Sequence, residues 1–437
     1  MTVPSHVDRR VGIIGLGYVG LPIAIAFVES GLEVVGIDSD TGRIASLASG
    51  ISPIDDISDE RLGAALGRGF RVVGREDAAI GDLDAVFVCV PTPIDRAKDP
   101  DLGPVLSAAS LICDGLRAGQ LIVLQSTTFP GTTNGPFRAA LEIGGLNAGS
   151  DFDLAYAPER VNPGDPASTT SSVPRLVGGS TPRATDRAAV LLELISDDVV
   201  RLTSPDAAEL AKLLENVFRN VNVALVNQLA LLCERMDLDV WEVIDAAATK
   251  PFGFMRFTPG PGVGGHCIPV DPFYLAWRAR AFDFTDRFIE TASDINLGMP
   301  PHVLTLIGDA LNDRQRSIGG THVGVLGVAF KPNVRDARNS PAASIMAQLV
   351  SRGATVEYHD PHVSVFVDAG GVEYRSQALD GLLDRSDVIV AVTAHHAIDW
   401  TSVFERAQLI VDTVNVSRGH SVRPRQVLRL GAGWSAD

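Results

Sequence analysis

Two parallel-sheet α/β domains joined by a long central helix and a helical middle domain are what this sequence predicts. Three observations carry that expectation. Residues 10–37 read as strand, glycine turn, helix and strand; similar runs return after residue 320 in the same order; and between them a helical repeat starts at Ser204. At 437 residues the chain is long enough for two or three domains, each with a core of its own.

Arg10-Val11-Gly12-Ile13-Ile14 is mostly apolar, which suits a strand covered on both faces. The turn Gly15-Leu16-Gly17-Tyr18-Val19-Gly20 follows. A helix then runs through Ser30, Gly31 ends it, and a second strand over 32–37 closes on Asp38. This βαβ unit is expected to cross over right-handed, and further buried strands are expected over 85–90 and 121–125. Ser204-Pro205-Asp206 is a helix start, with a capping hydroxyl, a proline where no N–H is needed and an early acid. Apolar residues then recur at Leu210, Leu213, Leu214, Val217, Val221, Leu225, Leu229 and Leu232. Continued to Arg235, the helix has roughly 30 residues and a length of about 45 Å. Val223, Ala224 and Val226 make more than one side apolar, so burial is expected from two directions, by two domains or by two subunits.

The pattern then restarts. A strand is expected over 322–328 with a turn at Gly327, a helix over 341–353, and a strand from 354 that closes on Asp360. Residues 387–392 echo 84–89, and 408–413 echo 120–125. One large sheet is the alternative, but the long helical stretch between the two sets argues for two Rossmann-like sheets. The expected divisions are residues 1–200, 201–305 and 306–437.

Hydrophobic residues make up 46% and charged ones 21%, and the formal net charge is −16. Such an acidic chain is a poor partner for nucleic acid or an anionic membrane, so phosphates must be met locally. The first ten residues carry His6, Asp8, Arg9 and Arg10 with no apolar stretch behind them, and no apolar window reaches bilayer length. Cys89, Cys113, Cys233 and Cys267 are widely spaced with no metal-ligand pattern, so no metal and a reducing, cytoplasmic setting are expected.

The glycine turn alone is a weak signal. Here it follows a strand, opens a helix and has an acid, Asp38, about 20 residues on, which is the arrangement that binds a dinucleotide. Gly15 permits the turn, Gly17 admits a pyrophosphate to the backbone, and Gly20 lets helix and strand pack closely. Tyr18 and Val19 complete the turn. Asp38 favours the ribose of NAD over the 2′-phosphate of NADP, although Arg43 could meet such a phosphate or stack near the ribose.

Cys267 lies in Gly264-Gly265-His266-Cys267-Ile268-Pro269-Val270-Asp271-Pro272. A thiol is commonly a small core group. Glycines on one side and a helix start at Asp271 on the other instead favour a thiolate and covalent chemistry. His266 suits a shape or hydrogen-bonding role better than that of a base. Lys212 and Asn216 stand one helical turn apart, with Arg219 and Asn220 continuing a polar line; a solvated stripe is the plain alternative to a ligand-facing one. Thr92 and Ser126-Thr127-Thr128 fall at strand ends, where open parallel sheets bind ligands. Glu159 is similarly placed. Lys331 is a candidate phosphate contact, and Arg338 with Asn339-Ser340-Pro341 precedes a helix where an anion could sit.

Taken together these residues resemble the UDP-glucose/GDP-mannose dehydrogenase family over nearly the whole chain. The specific pieces are Val90-Pro91-Thr92-Pro93, Ser126-Thr127, Ala211-Lys212-Leu213-Leu214-Glu215-Asn216, Gly264-Gly265-His266-Cys267 and Phe330-Lys331-Pro332. The resemblance implies an N-terminal NAD domain, a long helix forming a homodimer core, and a C-terminal domain for the UDP part of a UDP-sugar. It implies Cys267 as nucleophile, Lys212 and Asn216 as oxyanion stabilisers, Asp271 as base or water activator, and Thr127 and Glu159 as positioning groups. Thr92, Thr127 and Arg338 would join the glycine turn around the cofactor. The substrate would meet Glu159, Arg160 and Val161, then Lys212, Asn216 and Arg219. The loop residues Arg256, Phe257, Gly260 and Gly264, with Lys331, would complete that site.

The run from Thr249 to Met255 into Gly265–Leu275 is similar to the bacterial UDP-N-acetylglucosamine 6-dehydrogenase branch. Val270 stands where UDP-glucose members carry a Lys, and Pro163 where they carry a second Glu. UDP-N-acetylmannosamine and UDP-glucose remain alternative substrates. Two readings of other classes also stand: a two-electron hydroxy-acid dehydrogenase in which Cys267 is incidental, and a non-catalytic dinucleotide-binding regulator.

Overall fold

The computed structural model describes residues 8–54, 56–95, 97–161 and 172–435. Pro163 lies outside them. The chain forms two compact units, Met1–Glu215 with Phe273–Phe284, and Asn216–Pro272 with Thr285–Asp437.

The first unit holds an eight-stranded sheet. Its strands are β1 (Arg10–Ile14), β2 (Glu33–Asp38), β3 (Arg71–Gly74), β4 (Ala85–Val88), β5 (Leu121–Leu124), β6 (Asp153–Tyr156), β7 (Arg175–Gly179) and β8 (Val199–Leu202). Their order is β3-β2-β1-β4-β5-β6-β7-β8, parallel throughout except between β6 and β7. Helices α1 (Gly20–Glu29), α2 (Thr41–Ala48), α3 (Asp59–Gly67), α4 (Gly103–Gly115), α5 (Arg138–Leu141) and α6 (Pro182–Leu192) connect them. Val11 and Ile13 of β1 pack into one buried cluster with α1 and α6, and Ile14 joins Val86, Val88 and α4 in the other. This period of two on a doubly covered sheet explains why the strands read as apolar runs.

The long helix is α7 (Pro205–Met236), 32 residues, ending one residue past the expected Arg235. Ser204 Oγ accepts from the Ala207 N–H at 3.2 Å, the predicted cap. Helices α8 (Val240–Ala248), α9 (Asp271–Arg280) and α10 (Arg287–Asp313) follow.

The second unit holds a six-stranded sheet built from β9 (His322–Leu326), β10 (Thr355–His359), β13 (Val388–Ala391), β14 (Ile410–Asp412), β15 (Val427–Arg429) and β16 (Gly433–Trp434). The order is β10-β9-β13-β14-β15-β16, with only the last pair antiparallel. Strands β11 (Val365–Val367) and β12 (Glu373–Arg375) pair as a separate ribbon, and α11 (Pro341–Ser351), α12 (Leu379–Arg385) and α13 (Trp400–Arg406) cover the sheet. The sequence echo is an echo of hydrogen bonds. Asp84 donates its N–H to Arg10 O at 2.8 Å, and Asp387 does the same to His322 O at 2.8 Å. Among the described residues no helix is long and apolar enough to cross a membrane.

Candidate active site

In the first unit the strand order reverses between β1 and β4, and the glycine turn lies at their carboxyl ends. Gly15 has φ +92°, and a Cβ there would stand 2.6 Å from the Cys89 carbonyl oxygen. A Cβ on Gly20 would lie 1.8 Å from the Gly15 oxygen, whereas one on Gly17 meets nothing within 4 Å. The turn is thus closed where strand meets helix and open where a pyrophosphate must reach the backbone. The Leu16 N–H donates to Asp38 Oδ2 at 2.8 Å, and Asp40 N–H donates to Oδ1 at 2.9 Å. Arg43 pairs with Oδ2 at 3.1 Å. Burial opposes ionisation of Asp38, but these N–H groups and the Arg43 guanidinium hold its carboxyl below the usual range. Arg43 is therefore engaged with the acid, and a charged Asp38 repels a 2′-phosphate. The residues fit NAD, whose bound nicotinamide accepts hydride.

Thr92 is buried past the end of β4, and Thr127 is half-buried past β5 beside Ser126, whose Oγ donates to Val90 O at 2.7 Å. Tyr18 and Val19 are half-buried against the core below α1. Glu159 accepts from the N–H groups of Arg160 and Val161 at 2.8 and 2.9 Å and pairs with buried Arg175 at 3.1 Å. Arg160 donates to Glu215 on α7 at 2.8 Å. Lys212 is 8% exposed, and among the described residues nothing accepts from its ammonium. A long basic side chain left so on a buried helix face suits an incoming oxyanion.

Sequence reasoning missed Glu209, which is fully buried on α7. It accepts from Gly131 N–H, Thr133 N–H and Thr133 Oγ1 at 2.7, 2.9 and 2.7 Å, fixing the loop after Thr127. The signal was an acid on an apolar helix stripe. Burial pushes its carboxyl up to about 7, against those hydrogen bonds. Since the folded state holds the proton more tightly, this contribution is full below the ordinary range and is lost as pH rises through about 7. We expect the melting temperature to fall over that interval, by the equivalent of about 3 kcal/mol at most. The Glu209→Gln variant should lack the slope; an identical slope in both would rule the assignment out.

In the second unit Cys267 is the exposed member of the four cysteines; Cys89 and Cys233 are buried and Cys113 is half-buried. Burial pushes the Cys89 and Cys233 thiols up, away from the thiolate. Cys267 O accepts from the N–H groups of Val270 and Asp271 at 3.1 and 2.8 Å, so the loop runs straight into α9 as the Asp-Pro signal predicted. Asn216 Nδ2 donates to Asp271 Oδ2 at 2.6 Å, with both side chains buried. Two expected catalytic residues, 55 positions apart, are in contact.

The double glycine has a packing reason. Gly265 has φ +88°, its N–H donates to Arg338 O at 2.9 Å, and a Cβ on Gly264 would stand 2.8 Å from Phe330 Cβ. Phe330 therefore packs against Gly264 and Gly265, with the Lys331 ammonium 5.9 Å from the centre of its ring. Arg338 pairs with Asp336 at 2.7 Å. His266 is pulled below its ordinary value by burial and then by Arg338, so it is neutral at neutral pH. Arg256 pairs with Asp245 at 2.7 Å, Phe257 stacks edge-on against Phe218 at 5.8 Å, and Arg219 is exposed on α7.

The second sheet repeats the turn of the first. Gly327, at φ +80°, donates to His359 O at 2.9 Å, and Val328 N–H donates to Asp360 Oδ2 at 2.8 Å. Asp360 also accepts from Ala329, His362 and Val363 N–H groups and from buried His395 at 3.0 Å. Burial raises its carboxyl, but His395 and those N–H groups outweigh that and hold it at about 2. Its oxygens are occupied, leaving none for a ribose as Asp38 would need. A cavity of about 870 Å³ beside it is lined by Arg335, Arg338, His362, Ser364, Phe366 and Ser376, among others.

A doubly wound sheet with an NAD turn, followed by a thiol-bearing loop and a second sheet, defines a pyridine-nucleotide oxidoreductase of two-sheet construction. The chain belongs to the UDP-glucose/GDP-mannose dehydrogenase family: its NAD binding, central and UDP binding domain descriptions match residues 9–195, 206–297 and 324–419. It is an NAD-dependent nucleotide-sugar dehydrogenase. It is 37% identical over 359 residues to UDP-N-acetyl-D-glucosamine 6-dehydrogenase of Pseudomonas aeruginosa, covering 82% of this chain and 84% of that protein. It is 34% identical over 414 residues to UDP-N-acetyl-D-mannosamine dehydrogenase of Pyrococcus horikoshii, covering 93% and 96%. A solved structure of UDP-D-ManNAc dehydrogenase from that organism matches with a TM-score of 0.88 at 33% identity, covering 97% and 99% of the two chains.

Proposed function

We propose that this chain oxidises the C6 hydroxymethyl of UDP-N-acetylglucosamine to a carboxylate, with Cys267 as the covalent nucleophile. The exposed Cys267 in the loop before α9, four residues ahead of Asp271, which Asn216 holds, is the observation that carries the reading. Bound NAD takes one hydride in each of two oxidations, so one alcohol, two NAD and one water give one carboxylate, two NADH and three protons. Lys212 stabilises the alkoxide formed as the hydroxyl loses its proton. Cys267 Sγ adds to the aldehyde carbon, giving a thiohemiacetal; its oxidation leaves a thioester. Asp271, oriented by Asn216, takes a proton from the water that attacks that thioester, and the thiolate leaves. Thr127 and Glu159 position water and substrate. Arg160, Val161, Arg219, Arg256, Phe257, Gly260, Gly264 and Lys331 supply the rest of the substrate site, and Thr92 and Arg338 attend the cofactor.

In this reading residues 1–200 serve NAD, 201–305 the thiol loop and long helix, and 306–437 the UDP part, all in the cytoplasm. The P. aeruginosa relative supports the N-acetylglucosamine form; the 93% coverage by the mannosamine relative supports UDP-N-acetylmannosamine as the second choice. The test is NADH released per product across UDP-N-acetylglucosamine, UDP-N-acetylmannosamine and UDP-glucose. Two NADH per acid with the first sugar preferred is expected. One NADH per product would point to a two-electron dehydrogenase, and binding without NADH to a regulator.

The same reading includes a homodimer through α7. One stripe of α7 is buried, but Leu214, Phe218, Leu225, Leu232 and Met236 are 45–61% exposed along the other. A continuous apolar stripe of that kind marks an association surface. Sedimentation should show a dimer for the native chain and a monomer for Leu214→Glu/Leu225→Glu; a monomeric native chain at micromolar concentration would refute it.

A further inference from the structure

A chain of four amide-bearing groups within the second unit has its direction fixed at one end. The backbone N–H of Gly260 can only donate, and it donates to Asn227 Oδ1 at 3.0 Å. The other end of Asn227 is then its NH2, which donates to Asn296 Oδ1 at 2.9 Å. Asn296 Nδ2 in turn donates to Asn220 Oδ1 at 2.8 Å and to Asn220 O at 3.1 Å. Turning any one side-chain amide over would set N–H against N–H or oxygen against oxygen, so the orientation of all three is set from Gly260. The far end is Asn220 Nδ2, fixed as a donor. Among the described residues nothing accepts from it, although Asn220 is only 3% exposed.

Asn220 stands four residues after Asn216 on α7, so the two share a face. Asn216 is engaged with Asp271. Gly260 belongs to the glycine-proline loop before Cys267. One hydrogen-bonded line thus joins that loop to the buried helix face beside the Asn216–Asp271 pair. A buried donor so placed needs an acceptor.

We propose that Asn220 Nδ2 is a binding donor for an acceptor oxygen of the nucleotide-sugar, and that Asn227 and Asn296 are positioning residues that lock it in the donating orientation. This rests on the nucleotide-sugar reading. The acceptor is a phosphate or uridine oxygen of the UDP part, or a hydroxyl or acyl oxygen of the sugar. Asn220→Asp keeps the acceptor for Asn296 and replaces the donor by an oxygen, while Asn220→Ala removes both.

Calorimetry on the full chain without NAD compares UDP with UDP-N-acetylglucosamine, beside a separate NAD titration. Both variants should bind the nucleotide-sugar at least about tenfold more weakly, with NAD affinity unchanged. Weakening of UDP as well assigns the donor to the UDP part, and weakening of the sugar-bearing ligand alone assigns it to the sugar. Asn296→Asp, which still accepts from Asn227 but cannot orient Asn220, should raise KM for the nucleotide-sugar more than it lowers kcat. Native affinity for both ligands in a folded Asn220→Ala overturns the proposal, as does an equal loss of NAD affinity. Should Asn220→Ala fail to fold, the same two outcomes are read from Asn220→Asp and Asn296→Asp. Failure of the native chain to bind either UDP ligand would instead strike the underlying functional reading.

Discussion

Cys267→Ser is expected to lower formation of the uronic acid by about a thousandfold or more while leaving the melting temperature within about 1 °C. Cys267 is exposed at the end of an irregular loop, so exchanging sulfur for oxygen removes no core packing. The nucleophilic role proposed for it, by contrast, has no substitute in the buried thiols. The Cys89 and Cys233 thiols are buried and pushed up, and a serine hydroxyl lacks both the thiolate's nucleophilicity and its quality as a leaving group. Aldehyde should therefore leave the enzyme after one hydride transfer. In the presence of hydroxylamine the variant should yield an oxime and about one NADH per sugar consumed. Native rates of acid production in Cys267→Ser would sink the covalent route and return the two-electron alternative. The outcome is read from product and not from NADH alone, because in the proposed route the first oxidation needs Lys212 and NAD but no thiol.

The sequence made the first βαβ unit, the long helix and the return of a second sheet legible because each has a local signature: an apolar run, a glycine turn or a capped repeat. It did not show β7, the strand at which the sheet's direction reverses. Arg175–Gly179 ends in two glycines and begins with a buried Arg whose partner, Glu159, lies 16 residues back. The edge strands β3 and β8 were missed because they are short and half-exposed. Around the candidate site, the helix start at Asp271 was legible from its flanks and the glycine turn from the spacing of Gly15, Gly17 and Gly20, whereas the role given to Asp271 came only from the resemblance. Contacts between distant residues were not legible. Nothing local to Asn216 announces Asp271, and nothing local to Asn227 announces Asn296. Arg43 was ambiguous as a sequence letter; the structure pairs it with Asp38 at 3.1 Å.

Two of the turn glycines, Gly20 and Gly17, should separate cleanly into folding and binding effects. Gly20→Ala places a methyl 1.8 Å from the Gly15 carbonyl oxygen and 3.2 Å from Cys89 Cβ. Both the carbonyl and the helix are backbone held by neighbours, since Gly15 N–H donates to Ile37 O at 2.8 Å. Neither can move aside without opening the sheet at β1, and the cost should exceed about 3 kcal/mol. Loss of folded protein or a large drop in melting temperature is expected. Gly17→Ala meets nothing within 4 Å, and its φ is not among the positive ones, so the fold should be native or slightly more stable. The same methyl would stand where the pyrophosphate approaches the backbone. Displacing that contact by about 2–3 kcal/mol corresponds to roughly 30- to 150-fold weaker NAD binding. Melting curves and NAD titrations on the two variants decide it. A native melting temperature in Gly20→Ala would show that helix and strand are not in the close contact described, and native NAD affinity in Gly17→Ala would move the pyrophosphate elsewhere.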